Sequence, residues 1–531
     1  MSFLRFILPK LSFFTESART CIQAVIAIVR RRKVCSFVPM KILIGNQIRE
    51  ADRCTIEREP VASIDLMERA SEAIAQWTGS HIPSGTPLRF FVGKGNNGGD
   101  GLAVARMLCH AGFDCTVQLV FDRSALSGEC RCNLERLPGG VRMVEWEEVP
   151  ADAVIVDAIL GTGVQGKMTG PALEAVTAIN ALPNRVISID LPSGMRTEFG
   201  NAGETMIRAD VTLTPEFPKL AMLLPEAGEA CGKVEVLPLG LDRQYIAEAE
   251  TPYHYLTREA VRALLHPRPK FGHKGSFGHA LLICGSEGMI GAGILSLGAA
   301  LRSGCGLVTL HAPREERAAI QANYPSALLS LDPGRCFTQQ PADLERYDAI
   351  GTGCGLGLRP ETGIALGALL ANYRRPVALD ADALTFIAGD AALLRSVPAG
   401  SILTPHPGEL RRLIGAWEDE AEKIARSTAL AAELQSVVVV KGAHTMICLP
   451  SGEVWFNSTG TPGMAKGGSG DVLTGLLAGL LARGYGAVDA ARIGVYLHGL
   501  AGEKCADRRS EEAMNSADLI DSLAEAWREI I

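Results

Sequence analysis

Between residues 88 and 240 the chain keeps returning to one local pattern. A short apolar run stops at a glycine or an acidic turn, and a stretch of helical character follows. The runs are LRFFVG, with a helix expected over 102–110; TVQLVF; AVIVDAI, with a helix over 171–179; RVISID; DVTLT; and KVEVL. Near-continuous apolar strands alternating with helices predict a largely parallel sheet covered on both faces, with ligands collecting at the carboxyl ends of its strands. A second alternation begins at HALLICG and runs through LVTLHA, DAIGTG, PVALDADAL, SILTPHPGE and VVVVKGAHT to a helix after Asp471. No convincing repeat of the first half occurs in the second. At 531 residues the chain exceeds one ordinary core, and two large α/β domains, each doubly wound, fit best. Residues 241–257, with a polar and acidic middle and no apolar period, are the expected linker between domains at 40–240 and 258–531.

The hydrophobic share of 47%, the many glycines and the few aromatics suit buried sheets and tight turns. A net charge of −7 offers no basic face to a nucleic acid backbone, so small-molecule partners are expected, with no nucleic acid and no membrane. The 14 cysteines include no CxxC pair, Cys130 and Cys132 being the nearest couple. Neither a zinc site nor a disulfide framework is signalled, and a reducing cytoplasm is the expected compartment. Residues 1–39 differ in texture, with Glu16 the one acid among many bases. Their apolar stretch at 24–29 is too short to span a bilayer. Three readings stand for this extension: a start placed ahead of the true one at Met40, a disordered or surface-lying tail, or a targeting sequence.

The sharpest chemical signal is TPGMAKGGSGD at 461–471, where a glycine-rich loop opens into the apolar helix VLTGLLAGLLARG. Free N–H groups and the positive end of the helix dipole make such a start a site for phosphate. A carboxylate there would be repelled by the anion, so Asp471 reads as a base for a hydroxyl that meets a phosphoryl group. The plain alternative is a glycine turn capped by Asp471. No GxxxxGK[ST] string is present, so phosphate binding is expected to rest on this loop rather than on a P-loop.

In the first half three strand ends carry polar groups: GKGNNGGDG at 93–101, VDAILGTGVQGK at 156–167 and SIDLPSG at 188–194. Gly161, Gly163 and Gly166 satisfy GxGxxG, but a dinucleotide fingerprint opens directly into a helix, and here residues 167–171 intervene. In NNGGDG two glycines let amides approach a ligand, while Asn96, Asn97 and Asp100 supply short polar arms; Asx-turn and capping chemistry is the alternative. Asn97, Asp157 and Ser193 together offer oxygen ligands to a hard or monovalent cation, leaving Asp190 as an acid–base group.

GKGNNGGDGL, VDAILGTGVQG and IDLPSG, followed by HKGSFGHALLICGS, TPHPGE, KGAHT and TPGMAKGGSGD, resemble in order the motifs of the bifunctional NAD(P)H-hydrate repair enzymes, from Met40 to the C-terminus. The resemblance implies a Rossmann-like epimerase domain that interconverts R and S hydrates of NADH or NADPH. It further implies a ribokinase-like dehydratase domain that restores the dinucleotide from the S form with ADP or ATP and Mg²⁺, releasing AMP and phosphate when ADP is used. A homo-oligomer is expected.

By the same resemblance Asn96, Asn97, Gly98, Gly99, Asp100, Gly161, Thr162, Gly163, Val164, Gln165, Gly166 and Lys167 hold the hydrate in the epimerase crevice. Asn97, Asp157 and Ser193 bind potassium, and Asp190 sits at the reacting ring. In the dehydratase, Gly355, His406, Pro407, Gly408, Glu409, Leu410, Arg411 and Arg412 contact the hydrate beside the catalytic Asp471. Lys441, Gly442, Ala443, His444 and Thr445 bind ADP together with Thr461, Pro462, Gly463, Met464, Ala465, Lys466, Gly467, Gly468, Ser469 and Gly470.

One departure stands out: related kinases carry NxxE near the metal, whereas here the string is His406, Pro407, Gly408, Glu409, which favours the dehydratase branch and leaves a direct metal role for Glu409 open. His406 alone also reads as a turn histidine, Lys441 as a charged strand end, and Asp380 and Asp382 as turn residues. Two other functions remain in view: a small-molecule kinase fused to an accessory domain, and an amino-terminal domain that binds without catalysing.

Overall fold

The computed structural model describes residues 40–145, 148–164 and 166–531, so the extension at 1–39 and Gln165, expected at the hydrate, lie outside the described residues. A two-residue strand, β1 (Met40–Lys41), opens them. Seven strands then build the first sheet: β2 (Leu88–Val92), β3 (Cys115–Leu119), β4 (Arg142–Val144), β5 (Val154–Ala158), β6 (Val186–Ile189), β7 (Val211–Pro215) and β8 (Lys233–Leu237). All its pairs are parallel, in the order β4-β3-β2-β5-β6-β7-β8. The expected strands are all present; β4 is the one no pattern announced, because Arg142 and Met143 on it are exposed and give no apolar run.

Strand order reverses between β2 and β5, which opens a crevice between the turns leaving their carboxyl ends. The turn after β2 feeds the helix Asn96–His110, so NNGGDG forms the helix's first turns rather than a loop ahead of it. Gly98 is required for that seating, because a Cβ there would collide with the Gly93 carbonyl oxygen. Register places Asp157 opposite Phe91 on β2 and Ser188 on β6, fully buried inside the sheet.

The second sheet has eleven strands. Its members are β9 (Tyr253–Leu256), β10 (His279–Ile283), β11 (Leu307–Pro313), β12 (Leu328–Asp332), β13 (Ala349–Thr352), β14 (Val377–Leu379), β15 (Ile402–Leu403), β16 (Val437–Val440), β17 (Met446–Cys448) and β18 (Val454–Asn457), with β1 at its edge. The order is β1-β9-β18-β17-β16-β15-β14-β13-β10-β11-β12, and the segment from β16 to β12 is parallel. Here the order reverses between β10 and β13, and the ends of β13, β14, β15 and β16 all empty onto one face.

The expected linker at 241–257 is structured instead. It holds the helix Arg243–Glu248, capped by Asp242, and the strand β9, which pairs with β18 and with β1. These elements are too short for a period to register in the sequence. Both halves also share a core: Ile42, Leu220, Leu223 and Leu224 pack in one cluster with Leu281, Leu379, Val438 and Phe456. Among the described residues no helix is long and apolar enough to cross a membrane.

Candidate active sites

The crevice of the first sheet is a cavity of about 590 Å³. The turns after β2 and β5 form one wall, with Lys94, Asn96, Asn97, Asp100, Gly161, Thr162, Gly163 and Val164. Asp190 and Lys219 come from the ends of β6 and β7, and the helices Gln47–Arg58 and Ser63–His81 close the far side with Arg49, Asp52, Leu66 and Met67. Gly98 and Gly99 do not line it; they face Gly93 and Met67 and let the helix pack. Gly166 and Lys167 lie exposed beyond its rim.

Asp190 sits at φ +67°, a left-handed conformation that costs a non-glycine residue roughly 1 kcal/mol or more. The strain aims its carboxylate into the cavity, where it pairs with Lys219 at 2.7 Å and accepts the Thr162 N–H at 3.2 Å. Lys219 is buried and also donates to Thr214 Oγ1 at 2.7 Å. Beside this pair stand two carboxyls held above the usual carboxylate range. Burial and then the charge of Asp190 push Asp52 up to about 6, and the same two causes raise Asp100. Sequence reasoning missed Asp52 and Lys219, since one lies on a helix with no motif and the other four residues past the end of β7 with no characteristic neighbours.

Under the floor lies an oxygen-rich cluster. Asp157 accepts hydrogen bonds from Ser193 Oγ (2.5 Å), Ser193 N (2.9 Å), Ser188 Oγ (2.8 Å) and Ile159 N (3.2 Å). Ser193 Oγ also lies 3.2 Å from the Leu160 carbonyl, to which Asn97 Nδ2 donates at 2.9 Å. Asn97 Oδ1 is buried without a partner. One carboxylate, a hydroxyl, a main-chain carbonyl and an orphaned amide oxygen suit a hard monovalent cation.

In the second sheet the strand ends bring Asp380 (after β14), His406 (after β15) and Lys441 (after β16) toward the start of the helix Ser469–Ala482. Gly468 enters that helix at φ +91°, and the first amide bonded within it is Val472 N to Gly468 O at 3.2 Å. Ser469 N donates to Lys466 O at 3.4 Å, and Asp471 lies in the first turn, where helix amides have no intrahelical acceptor. Lys441 Nζ pairs with Asp380 Oδ1 at 2.6 Å and lies 3.7 Å from Glu409 Oε2. Asp380 Oδ2 accepts from Thr474 Oγ1 at 3.0 Å, and a Cβ on Gly470 would stand 3.2 Å from that same oxygen, so the pair sits against the anion nest.

Burial pushes the Asp471 carboxyl above its ordinary range; a Cys354 hydrogen bond and the charge of Lys441 pull against this, while Asp380 and Asp382 add to the rise. Burial works against the charge of Lys441, but Asp380 and Glu409 outweigh it and hold the ammonium above its usual pKa. His498, unforeseen in the sequence, is kept neutral by burial, its pKa down at about 4, and donates from Nε2 to Ser469 O at 2.9 Å. It pins the helix start from behind.

Several expected site residues take structural roles. His406 is the N-cap of the helix Pro407–Ile414: its Nδ1 accepts from Gly408 N, and Glu409 Oε2 accepts from His406 N at 2.8 Å. Leu410 does not face the site; it is fully buried, because a period of 3.6 residues turns it inward. Arg411 stacks on Trp417 and Arg412 donates to Thr385. Lys466 is spent on the carbonyls of Glu511, Glu512 and Met514, so it buttresses the glycine loop, and Thr461 binds Glu511. His444 is tied to the Asn457 carbonyl, and Thr445 closes the turn onto Gly442. Gly355, at φ +61°, has its carbonyl held by Ser286 Oγ at 2.9 Å. Asp380 turns out to be both a cap, accepting from Ala381 N, and an ion-pair partner.

Comparison with known proteins bears on both sites. Residues 63–221 match the family described as YjeF-related protein N-terminus, and residues 280–525 match the family described as NAD(P)H-hydrate dehydratase. The chain is similar to the bifunctional NAD(P)H-hydrate repair enzyme of Moorella thermoacetica, at 34% identity over 92% of this chain and 97% of that protein. It is similar to that of Escherichia coli at 31% identity, over 92% of this chain and 94% of that protein. A solved structure of the Bacillus subtilis ADP/ATP-dependent NAD(P)H-hydrate dehydratase, co-crystallised with ATP and Mg²⁺, is 34% identical over 52% of this chain and 98% of that one, with a TM-score of 0.47. With both family models matched in order, and relatives aligned along nearly their whole length, the chain belongs to the bifunctional NAD(P)H-hydrate repair enzymes, which join an epimerase and a dehydratase in one polypeptide.

Proposed function

We propose that the amino-terminal cavity interconverts the R and S hydrates of NADH or NADPH, and that the site around Asp471 dehydrates the S form at the expense of ADP or ATP. The observation that carries this reading is the position of Asp471, a carboxyl raised by burial in the first turn of a helix whose leading amides lack intrahelical acceptors, within the charge field of Lys441. The hydrate bears a hydroxyl on the nicotinamide C6, which leaves poorly as hydroxide. Asp471 takes its proton while the oxygen attacks the terminal phosphorus, and the amides of residues 467–470 stabilise the transferring group. The ring nitrogen's electron pair then expels phosphate to leave an N1=C6 iminium, loss of a C5 proton to water restores the C5=C6 bond of the dihydropyridine, and AMP remains when ADP was the donor. Lys441, held charged by Asp380 and Glu409, faces the same phosphates.

Two ions belong to this reading. Mg²⁺, bound with the nucleotide, would screen phosphate charge, and Asp380 Oδ2 beside Gly470 is a fitting oxygen for it. Potassium would be held by Asn97, Asp157 and Ser193, where the orphaned Asn97 oxygen fits it, and would order the carbonyl-rich loops.

Purified protein with ADP and Mg²⁺ is expected to convert both hydrate epimers to NADH, and Asp471→Ala to stop dehydration while epimerisation continues. Loss of both activities in the folded variant would contradict this division. Accumulation of a stable phosphorylated product would identify a small-molecule kinase instead.

A further inference from the structure

The amino-terminal cavity holds more carboxyl groups than substrate binding needs, and their surroundings differ. Asp157 is spent on four hydrogen bonds within the protein. Asp190 is locked between Lys219 and the Thr162 amide. Asp100 also lines the cavity but accepts the Ser71 hydroxyl at 3.4 Å. Asp52 stands on the opposite wall, half-buried on the helix Gln47–Arg58, and no described residue donates a hydrogen bond to its carboxylate.

Resting on the epimerase reading of this cavity, we propose that Asp52 is the catalytic acid–base group that moves the proton during epimerisation. Epimerising C6 requires breaking one of its bonds, and the hydrate ring is a cyclic hemiaminal. The Asp52 carboxylate takes the C6 hydroxyl proton; the O–H electrons form C6=O, and the C6–N1 bond breaks with its pair going to N1. Asp52, now the acid, gives that proton to N1. Rotation about C5–C6 presents the other face of the aldehyde, and the same two transfers in reverse close the ring with inverted configuration. Atoms, charge and protons balance without a co-reactant. The step needs one carboxylate with no competing partner, which among the four carboxyls describes Asp52 alone.

Its environment suits the task. The charged groups facing it are Arg49 on its own helix, Lys94 and Asp100 across the cavity, and Asp190 with Lys219. Burial and Asp190 hold the Asp52 pKa at about 6, close to the operating range where a base is both available and strong.

The test uses the full chain and the separated R hydrate of NADH, followed by chiral separation of the epimers. Asp52→Asn keeps shape and removes a charge its surroundings disfavour, so folding should not suffer; unchanged dehydration of the S hydrate and an unchanged melting curve check this. Epimerisation kcat/KM is expected to fall by about 10²-fold or more, with part of the activity returning in Asp52→Glu. Wild-type epimerisation is expected to lose activity as pH drops through about 6, and Asp100→Asn to keep that limb. Epimerisation by Asp52→Asn within about threefold of wild type, or a wild-type profile flat across that range, would overturn the assignment. Failure of the wild type itself to epimerise would overturn the reading of the domain instead, so the two failures are distinct.

Discussion

The Lys441 and Asp380 pair offers a measurement of how the second site is held together. Asp380 is 2% exposed and the Lys441 side chain 23%, so one charge is buried and the other partly screened. Removing one partner of a fully buried pair costs about 3–5 kcal/mol, chiefly because the other charge is stranded. Partial exposure of Lys441 brings Lys441→Met to about 2–3 kcal/mol, the residual cost being Asp380 left with Thr474 and the Ala381 amide. Asp380→Asn strands the lysine, which can still turn toward Glu409, and is expected to cost about 1–2 kcal/mol. The double variant has no stranded charge, so it should be more stable than the two losses combined, with a coupling of at least about 1 kcal/mol. The folded pKa of Lys441 is raised, so its stabilisation is fully present below the unfolded lysine value and lost only as pH climbs through the folded one. The cycle measured at pH 7 and at pH 8.5 should therefore give the same coupling. Urea titration followed by circular dichroism supplies the free energies, and dehydration of the S hydrate supplies the second readout. Without Lys441 only the Cys354 hydrogen bond still offsets the burial of Asp471, so its acid limb should move toward higher pH. Strictly additive losses, or a limb that stays in place, would refute the account of this pair as a coupled charge centre.

Two further perturbations address other parts of the chain. Asn97→Ala removes the buried, unpartnered amide oxygen of the Asp157 cluster, so stimulation of epimerisation by potassium over sodium should disappear while dehydration is untouched; a variant still responding to potassium would place the ion elsewhere. His498 has a folded pKa lowered to about 4 against an ordinary 6.5, so its contribution to stability is present above 6.5 and is lost as pH falls toward 4. Over that interval the wild type should lose about 3 kcal/mol that His498→Gln does not lose, read as the slope of unfolding free energy against pH.

Much of the fold was legible because parallel strands buried on both faces write themselves as apolar runs, as VVVV at β16 and VISI at β6 do. What escaped was short or exposed: β4 with its exposed Arg142 and Met143, the β17–β18 hairpin, and β9 within the expected linker. The site divided along a similar line. Residues at strand ends in glycine-rich strings, such as Asn97, Asp190 and Asp471, announced themselves because backbone approach and helix starts demand that chemistry locally. Asp52, Lys219 and His498 reach their sites from 29 to 138 residues away along the chain from the group each serves, and no local pattern encodes such a meeting. The converse error has the same root. Leu410, Gly98 and Lys466 stand inside strings expected to form a site, yet helix periodicity, close packing and three carbonyls respectively turn them to structure.

The join between the halves is itself part of the amino-terminal site. Lys219 reaches back to Asp190, while its neighbour Leu220 is fully buried in the core shared with the second sheet. The carboxylate of Glu226 accepts one amide from each half, Asn201 N at 3.3 Å and Glu420 N at 3.2 Å, and β1, at the very start of the first domain, pairs with β9. Domains tethered by a free linker move relative to one another by default, whereas an apolar shared core removes that freedom. Burying side chains such as Leu220, Leu223 and Leu224 contributes about 1.5–3 kcal/mol each relative to exposure, so parting the halves would cost a large share of a typical domain's stability. The short segment that positions Lys219 is thus anchored by the dehydratase half, and the geometry of the epimerase cavity depends on the second domain being folded against it.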